Sequence, residues 1–208
     1  MKSLLLLLAC YFFPGCGQSD KSQEKDKTTV DKTENRSNDK EKPSGRLLFD
    51  IKAAKIEFKY TGGPEEGTET LYFDDYGEIA VLTFDKKSGF GRNHQTIIWK
   101  DKKSTMLNHE KKSVSTSPFR VKATEPAGLA EVSEQDLAKM GYEKLAGENI
   151  AGKPCEVWFN SKMNIKYWLW KKIDLKLENQ GVYTKEATSV EEISMIPASL
   201  MEIPGDYK

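Results

Sequence analysis

"GENIAGKPCEVW", residues 147–158, decides how the fold is read. Gly147, four residues, then Gly152 and Lys153 match the first seven positions of a phosphate-cradling loop, whose eighth must be Ser or Thr to hold Mg²⁺. Here the eighth is Pro154. Such a loop also needs a helix directly after it, because the phosphate rests on the N–H groups of a helix N-terminus. Cys155 to Phe159 has strand propensity instead. The stretch is therefore a hairpin, with Gly152 taking a positive φ and Pro154 entering the next strand. A nucleotide is excluded as a ligand.

Working outward, the same rhythm of short strands and small turns recurs. Downstream come "NIKYWLW", "IDLKLENQG" and "VYTKEATSVEEI"; upstream comes "YEKLAGENIAG". Nearer the N-terminus, "AKIEFKYTG" puts Ile56, Phe58 and Tyr60 on one face and Lys55, Glu57 and Lys59 on the other, the period of a half-buried strand. "GGPEEG" reads as a turn, "TETLYFDDYGEIAVLTFDKKSG" as two strands turning at Asp74 to Gly77, and "TIIWKDKKSTML" as a hairpin turning at Lys100 to Lys103. "RLLFDIKAAKIEFKY" alternates with one slip at Ala53-Ala54 and predicts a bulged strand. "SEQDLAKMGY" is the one good helix, with Ser133 as N-cap, Leu137 and Met140 on one face and Gly141 as terminator. Two prolines in "SMIPASLMEIPGDYK" forbid a long helix there. About ten strands with one or two short helices predict a mainly β, α+β domain: a curved antiparallel sheet forming a half-open β-barrel.

The N-terminus sets the location. Lys2, an apolar run from Leu4 to Phe13, then Pro14-Gly15-Cys16 make a signal peptide over residues 1–15, since ten apolar residues are far short of the roughly 20 a bilayer-spanning helix needs. A small residue before a cysteine resembles the lipobox of bacterial lipoproteins, in which that cysteine is acylated and becomes the first mature residue. Cys10 has the better upstream match, Leu7-Leu8-Ala9, but is followed by Tyr11-Phe12-Phe13. Cys16 lies where the polar chain begins and is the preferred lipid-attachment residue. The alternative is an ordinary secreted protein with an incidental cysteine. Cleavage before Cys16 leaves Cys155 as the only free thiol. The 16–45 segment carries one aliphatic residue, Val30, among seven cationic and seven anionic side chains, and is expected to be a disordered tether reaching about 30 Å. Residues 46–208 form the folded domain, long enough for one core without disulfides. Lys and Arg total 32 against 32 Asp and Glu, a balance that argues against nucleic acid as partner.

"LAGENIAGKPCEVWF", "YWLWKKIDLKLENQG", "EATSVEEI" and "IPASLMEIPGDYK" resemble the closing strands of the LolA/LolB/RseB-like superfamily of bacterial lipoprotein carriers and sensors. The resemblance covers about residues 142–208, and the first half only by strand rhythm. It implies a half-open barrel over helices, with an apolar cavity that holds acyl chains. It also implies a place in the bacterial envelope, with the outer membrane the expected anchor site.

The candidate lining of that cavity is Phe58, Tyr60, Leu71, Phe73, Phe84, Ile97, Trp99, Trp158, Tyr167 and Leu169, many large side chains for a sheet with few helices to cover it. Ile165, Tyr167 and Leu169 are expected on the concave face. Trp168 and Trp170, with Lys166, are expected on the other, covering the outside or sitting at a membrane interface. His94 and His109 lie beside Asn without a second ligand at metal spacing and read as surface residues. Asp74 to Glu78 lacks the alternating oxygen ligands of a calcium loop. Cys155 reads as a buried small hydrophobe. No catalytic set, metal site or cofactor is predicted. The expected function is non-enzymatic: an acylated envelope lipoprotein that binds a lipid or lipidated protein, releasing it to a partner or membrane. The competing expectation is a structural or protein-interaction domain whose concavity is filled by its own side chains, with a hydrolase built from remote residues third.

Overall fold

The computed structural model of the chain describes residues 48–63, 65–118, 129 and 132–208, all within one unit, Pro43–Lys208. The signal peptide, Cys16 and the tether lie outside the described residues.

Among the described residues eleven strands follow in chain order: β1 (Ala54–Thr61), β2 (Glu65–Asp74), β3 (Ile79–Ser88), β4 (Gly91–Lys100), β5 (Lys103–Asn108), β6 (Ser113–Ser117), β7 (Tyr142–Ile150), β8 (Lys153–Asn160), β9 (Ile165–Trp170), β10 (Ile173–Asn179) and β11 (Tyr183–Glu192), with α1 (Glu134–Lys139) between β6 and β7. They form one antiparallel sheet in the order β6-β5-β4-β3-β2-β1-β11-β10-β9-β8-β7. Each wing is a meander of hairpins. The two are joined at the centre by β1 and β11, which pair from Ala54↔Glu192 to Thr61↔Thr184. β6 and β7 are the two edges, so the sheet is not closed.

It is nevertheless strongly curved. β7 and β11 come into contact although three strands lie between them. Register shifts at Glu57/Phe58, Asp174/Lys176 and Leu145/Glu148 mark bulges, each of which bends its strand and adds twist. The curl is pinned at one end by the segment before β1. Asp50 N–H donates to the Lys171 carbonyl in the β9–β10 turn (3.1 Å), and Phe49 N–H to the Tyr76 carbonyl in the β2–β3 turn (3.1 Å). This segment is not the bulged strand expected from the alternation. Phe49 and Ile51 plug the end of the sheet, Phe49 against Phe73 at 4.4 Å between rings, and the bulge lies opposite, in β11.

The opening stretch is a two-residue hairpin. Ala151 and Gly152 both have positive φ, 47° and 75°, the type I′ geometry whose twist matches that of the flanking strands. Pro154 lies in β8, and β9 pairs with β8 only from Glu156 onward, so its missing N–H interrupts no ladder there. "GGPEEG" is only half a turn: β2 already begins at Glu65, and Glu66 and Gly67 pair with Lys87 and Lys86. In α1, the Ser133 hydroxyl caps Asp136 N–H and Leu137 is buried. Met140 is 54% exposed and does not share the face of Leu137, because the helix ends at Lys139.

Among the described residues three apolar clusters hold the domain. The largest joins both wings: Ile56, Phe58, Leu71, Phe73 and Trp99 on one side with Val157, Trp168, Trp170, Ile173 and Leu175 on the other. A second buries Val81, Ile98 and Leu107 beneath the C-terminal segment through Ile196, Leu200, Met201 and Tyr207. The third gathers Leu129, Leu137, Tyr142 and Trp158 with Val132, Tyr167 and Leu169, and is where α1 meets β7–β9.

Candidate ligand-binding site

The ten residues expected to line one cavity divide between two places. Phe58, Leu71, Phe73 and Trp99 belong to the main cluster with Phe84 packed against it, and Ile97 is buried on the same face opposite Leu82. Phe58, Leu71 and Phe73 are 2% exposed or less, so they are packed against one another rather than presented to a ligand. Trp158, Tyr167 and Leu169 sit instead in the third cluster with α1. Trp168 and Trp170 were expected outside and are not. Both are buried in the main cluster, where the ammonium groups of Lys166 and Lys176 lie 4.5 and 4.7 Å from the Trp168 ring centre and its Nε1–H donates to Glu148 Oε2 at 2.9 Å. They share that face with Val157, which stands opposite Trp168, and Ile173, which stands opposite Trp170, both of them buried in the same cluster.

A cleft of about 330 Å³ opens over the third cluster. Its floor is Leu129, Leu137, Trp158 and Leu169, and Lys171 and Lys172 of the β9–β10 turn stand at its mouth with Asp50, Glu134 and Glu156. Both lysines have positive φ, as the tight two-residue turn requires. Lys172 is held 3.0 Å from Asp50, and the Lys171 ammonium lies 4.9 Å from the Trp170 ring. The volume is at the lower end of the small-ligand range of about 300–1,000 Å³. Burial pushes the Tyr167 and Tyr142 hydroxyls above the ordinary phenol range, so both stay neutral beside this floor.

Tyr60 marks the polar end of the main cluster. Its hydroxyl donates to Glu69 Oε2 at 2.7 Å, and the Lys185 ammonium bonds Glu69 Oε1. Glu69 is buried, on the face it shares with Leu71 and Phe73. Burial, with the Glu69 charge beside it, raises the Tyr60 hydroxyl far above its usual value. Sequence reasoning missed this charged group within the apolar face, yet its signal was available: in Glu69-Thr70-Leu71-Tyr72-Phe73 the carboxylate has the parity of the buried residues.

The histidines are not plain surface residues. Their rings lie 4.3 Å apart, and His109 meets Thr96 Oγ1 through Nε2 and the Tyr207 hydroxyl through Nδ1, both at 2.7 Å. Burial, then the neighbouring His94, lowers the His109 pKa. No group of three or more metal-ligating side chains occurs among the described residues. Cys155 is buried, and burial pushes its thiol up to about 11. Phe90, between Gly89 and Gly91 at the β3–β4 tip, is fully exposed, a feature sequence reasoning also missed.

No protein-family model matches the chain, and no curated protein matches it. Among solved structures it is similar to MucB, at 11% identity over 77% of this chain and 61% of MucB, with a TM-score of 0.46. It is similar to Pseudomonas aeruginosa MucA/MucB at 12% identity over 75% of this chain and 57% of that one (TM-score 0.46). For an uncharacterized conserved protein from Thermus thermophilus the figures are 9% identity, 76% of this chain, 88% of that chain and a TM-score of 0.49. The chain thus spans about three-fifths of the length of MucB.

Proposed function

We propose that the chain is a non-enzymatic envelope lipoprotein, acylated at Cys16 and tethered by residues 17–45, whose domain binds the apolar chain of a lipid or lipidated protein in the cleft beneath α1. The observation that carries this reading is the cleft itself, lined on its apolar side by Leu129, Leu137, Trp158 and Leu169, with Lys171 and Lys172 beside Asp50, Glu134 and Glu156 around it. Burying acyl carbons contributes about 0.8 kcal/mol per CH₂, so affinity needs apolar lining more than polar contacts. The domain expressed without residues 1–45 should take up a fluorescent fatty acid, and Leu169→Glu should lower that uptake at least tenfold, about 1.4 kcal/mol. Absence of both uptake and co-purifying acyl species would remove the carrier reading. A second reading, a protein-interaction domain with a filled core, is favoured by the close packing of Phe58, Leu71 and Phe73. Cys16→Ala tests the anchor: acylation should disappear, and its persistence there with loss in Cys10→Ala would move the anchor to Cys10.

A further inference from the structure

A second cleft, of about 280 Å³, lies away from α1 and is lined by Tyr60, Glu65, Lys86 and Tyr183 from β1, β2, β3 and β11. Its origin is a gap in a cross-strand row. Lys185, Tyr60, Gly67 and Lys86 stand opposite one another in register, so they share a face, and Gly67 contributes no side chain between Tyr60 and Lys86. A Cβ at Gly67 would come within 2.1 Å of the Asp85 carbonyl oxygen, so the gap is fixed by the backbone. Lys86 leans into it, its ammonium 3.8 Å from the Tyr60 ring centre.

The charges in this cleft are unequal in how firmly they are held. Glu69 is already matched by Lys185 and the Tyr60 hydroxyl. Lys86 and Glu65 are only loosely paired at 3.7 Å, with the carboxylate side chain half exposed. A simple anion drawn to Lys86 meets the Glu65 carboxylate, and a simple cation drawn to Glu65 meets the Lys86 ammonium. A molecule carrying both charges satisfies each partner at once, and the Tyr60 and Tyr183 rings offer apolar surface to a short linker between them. We propose that the cleft between Lys86 and Glu65 binds a small zwitterion, a primary ammonium joined to a phosphate by a short carbon linker, either free or as a lipid headgroup.

This site is separate from the cleft beneath α1, and failure of fatty-acid uptake leaves it standing. The test is titration of the tethered domain with O-phosphoethanolamine, with inorganic phosphate and ethanolamine as separate arms. The zwitterion should bind, each half alone should bind at least tenfold more weakly, and Lys86→Met and Glu65→Gln should each lower affinity at least tenfold, about 1.4 kcal/mol. Melting temperatures of both variants verify that they are folded. Retention by phosphatidylethanolamine vesicles but not phosphatidylglycerol vesicles, lost in both variants, identifies the source as a headgroup; binding of the soluble compound alone identifies a free ligand. Equal binding of phosphate alone, unchanged affinity in the folded variants, or no binding at about 10 mM zwitterion overturns the proposal.

Discussion

Glu69 sits among apolar neighbours with its carboxylate held by Tyr60 and Lys185, so removing one partner differs from removing the set. Lys185→Met strands a buried carboxylate and should destabilise the domain by about 3 kcal/mol, whereas Glu69→Leu with Lys185→Met should recover most of that loss, because a buried ion pair is often replaceable by packed apolar residues. Urea denaturation of both variants checks this; equal losses would mean that the pair carries no desolvation cost. Cys155 gives a second test. Its thiol is raised to about 11 from an ordinary value near 9, so the folded state favours the protonated form, and the stability it contributes is complete below about 9 and declines as pH rises from there through 11. Iodoacetamide at pH 8.5 should therefore leave Cys155 unmodified in native protein and label it in urea. Both residues follow from strand parity, which the sequence displays. His109 does not, because its partner Tyr207 lies 98 residues away and no local pattern announces the contact.

The C-terminal segment behaves as an element held by few groups. Ile196, Leu200, Met201 and Tyr207 cover Val81, Ile98 and Leu107, Lys208 pairs by backbone with Lys112 and Val114 at the β6 edge, and Lys112 meets Asp206 at 2.7 Å. The groups facing His109 are Thr96, Tyr207 and the stacked His94, with the Arg92–Asp85 pair nearby on β4 and β3. Because the folded pKa of His109 is depressed, its contribution to stability is complete above about 6.5 and is lost as pH falls through the lower folded value. Hydrogen-exchange protection in residues 193–208, corrected for the intrinsic pH dependence of exchange, should therefore fall as pH drops below about 6.5, and His109→Gln should flatten that dependence. An unchanged pH profile in the variant would show that carboxylates, not His109, control the segment. For α1, Ser133→Ala removes the N-cap and should cost about 1 kcal/mol. Capping was readable in "SEQDLAKMGY"; the failure was Met140, since a helix that stops at Lys139 leaves no further turn to bury it.

At the scale of the molecule, hairpin rhythm gave the strands and their antiparallel pairing, because each turn is local and each strand alternates. It could not give the direction in which the tryptophan wing faces. In "IKYWLW" both faces carry large side chains, Tyr167 and Leu169 on one and Trp168 and Trp170 on the other, so alternation alone does not say which meets the main core. The consequence is cooperative. Trp99 from one wing and Trp168 from the other share the largest buried cluster, which neither wing completes alone. The wings meet through β1 and β11, strands about 130 residues apart in the chain, and a pairing of that separation must be closed before the cluster can form. Unfolding should therefore be a single transition, with the fluorescence of Trp99→Phe, which keeps Trp158, Trp168 and Trp170 in one wing, and of the triple variant Trp158→Phe/Trp168→Phe/Trp170→Phe, which keeps Trp99 in the other, giving coincident midpoints once each variant is compared with its own circular dichroism. Refolding should be slow, in the millisecond to second range typical of sheets dominated by non-local contacts. Phe58→Ala, at the β1–β11 seam and 2% exposed, should cost about 3–5 kcal/mol and shift both transitions together. Separation of the two, with the β7–β10 tryptophan signal surviving loss of the other, would show that the wings fold as independent units and that the seam does not control the whole.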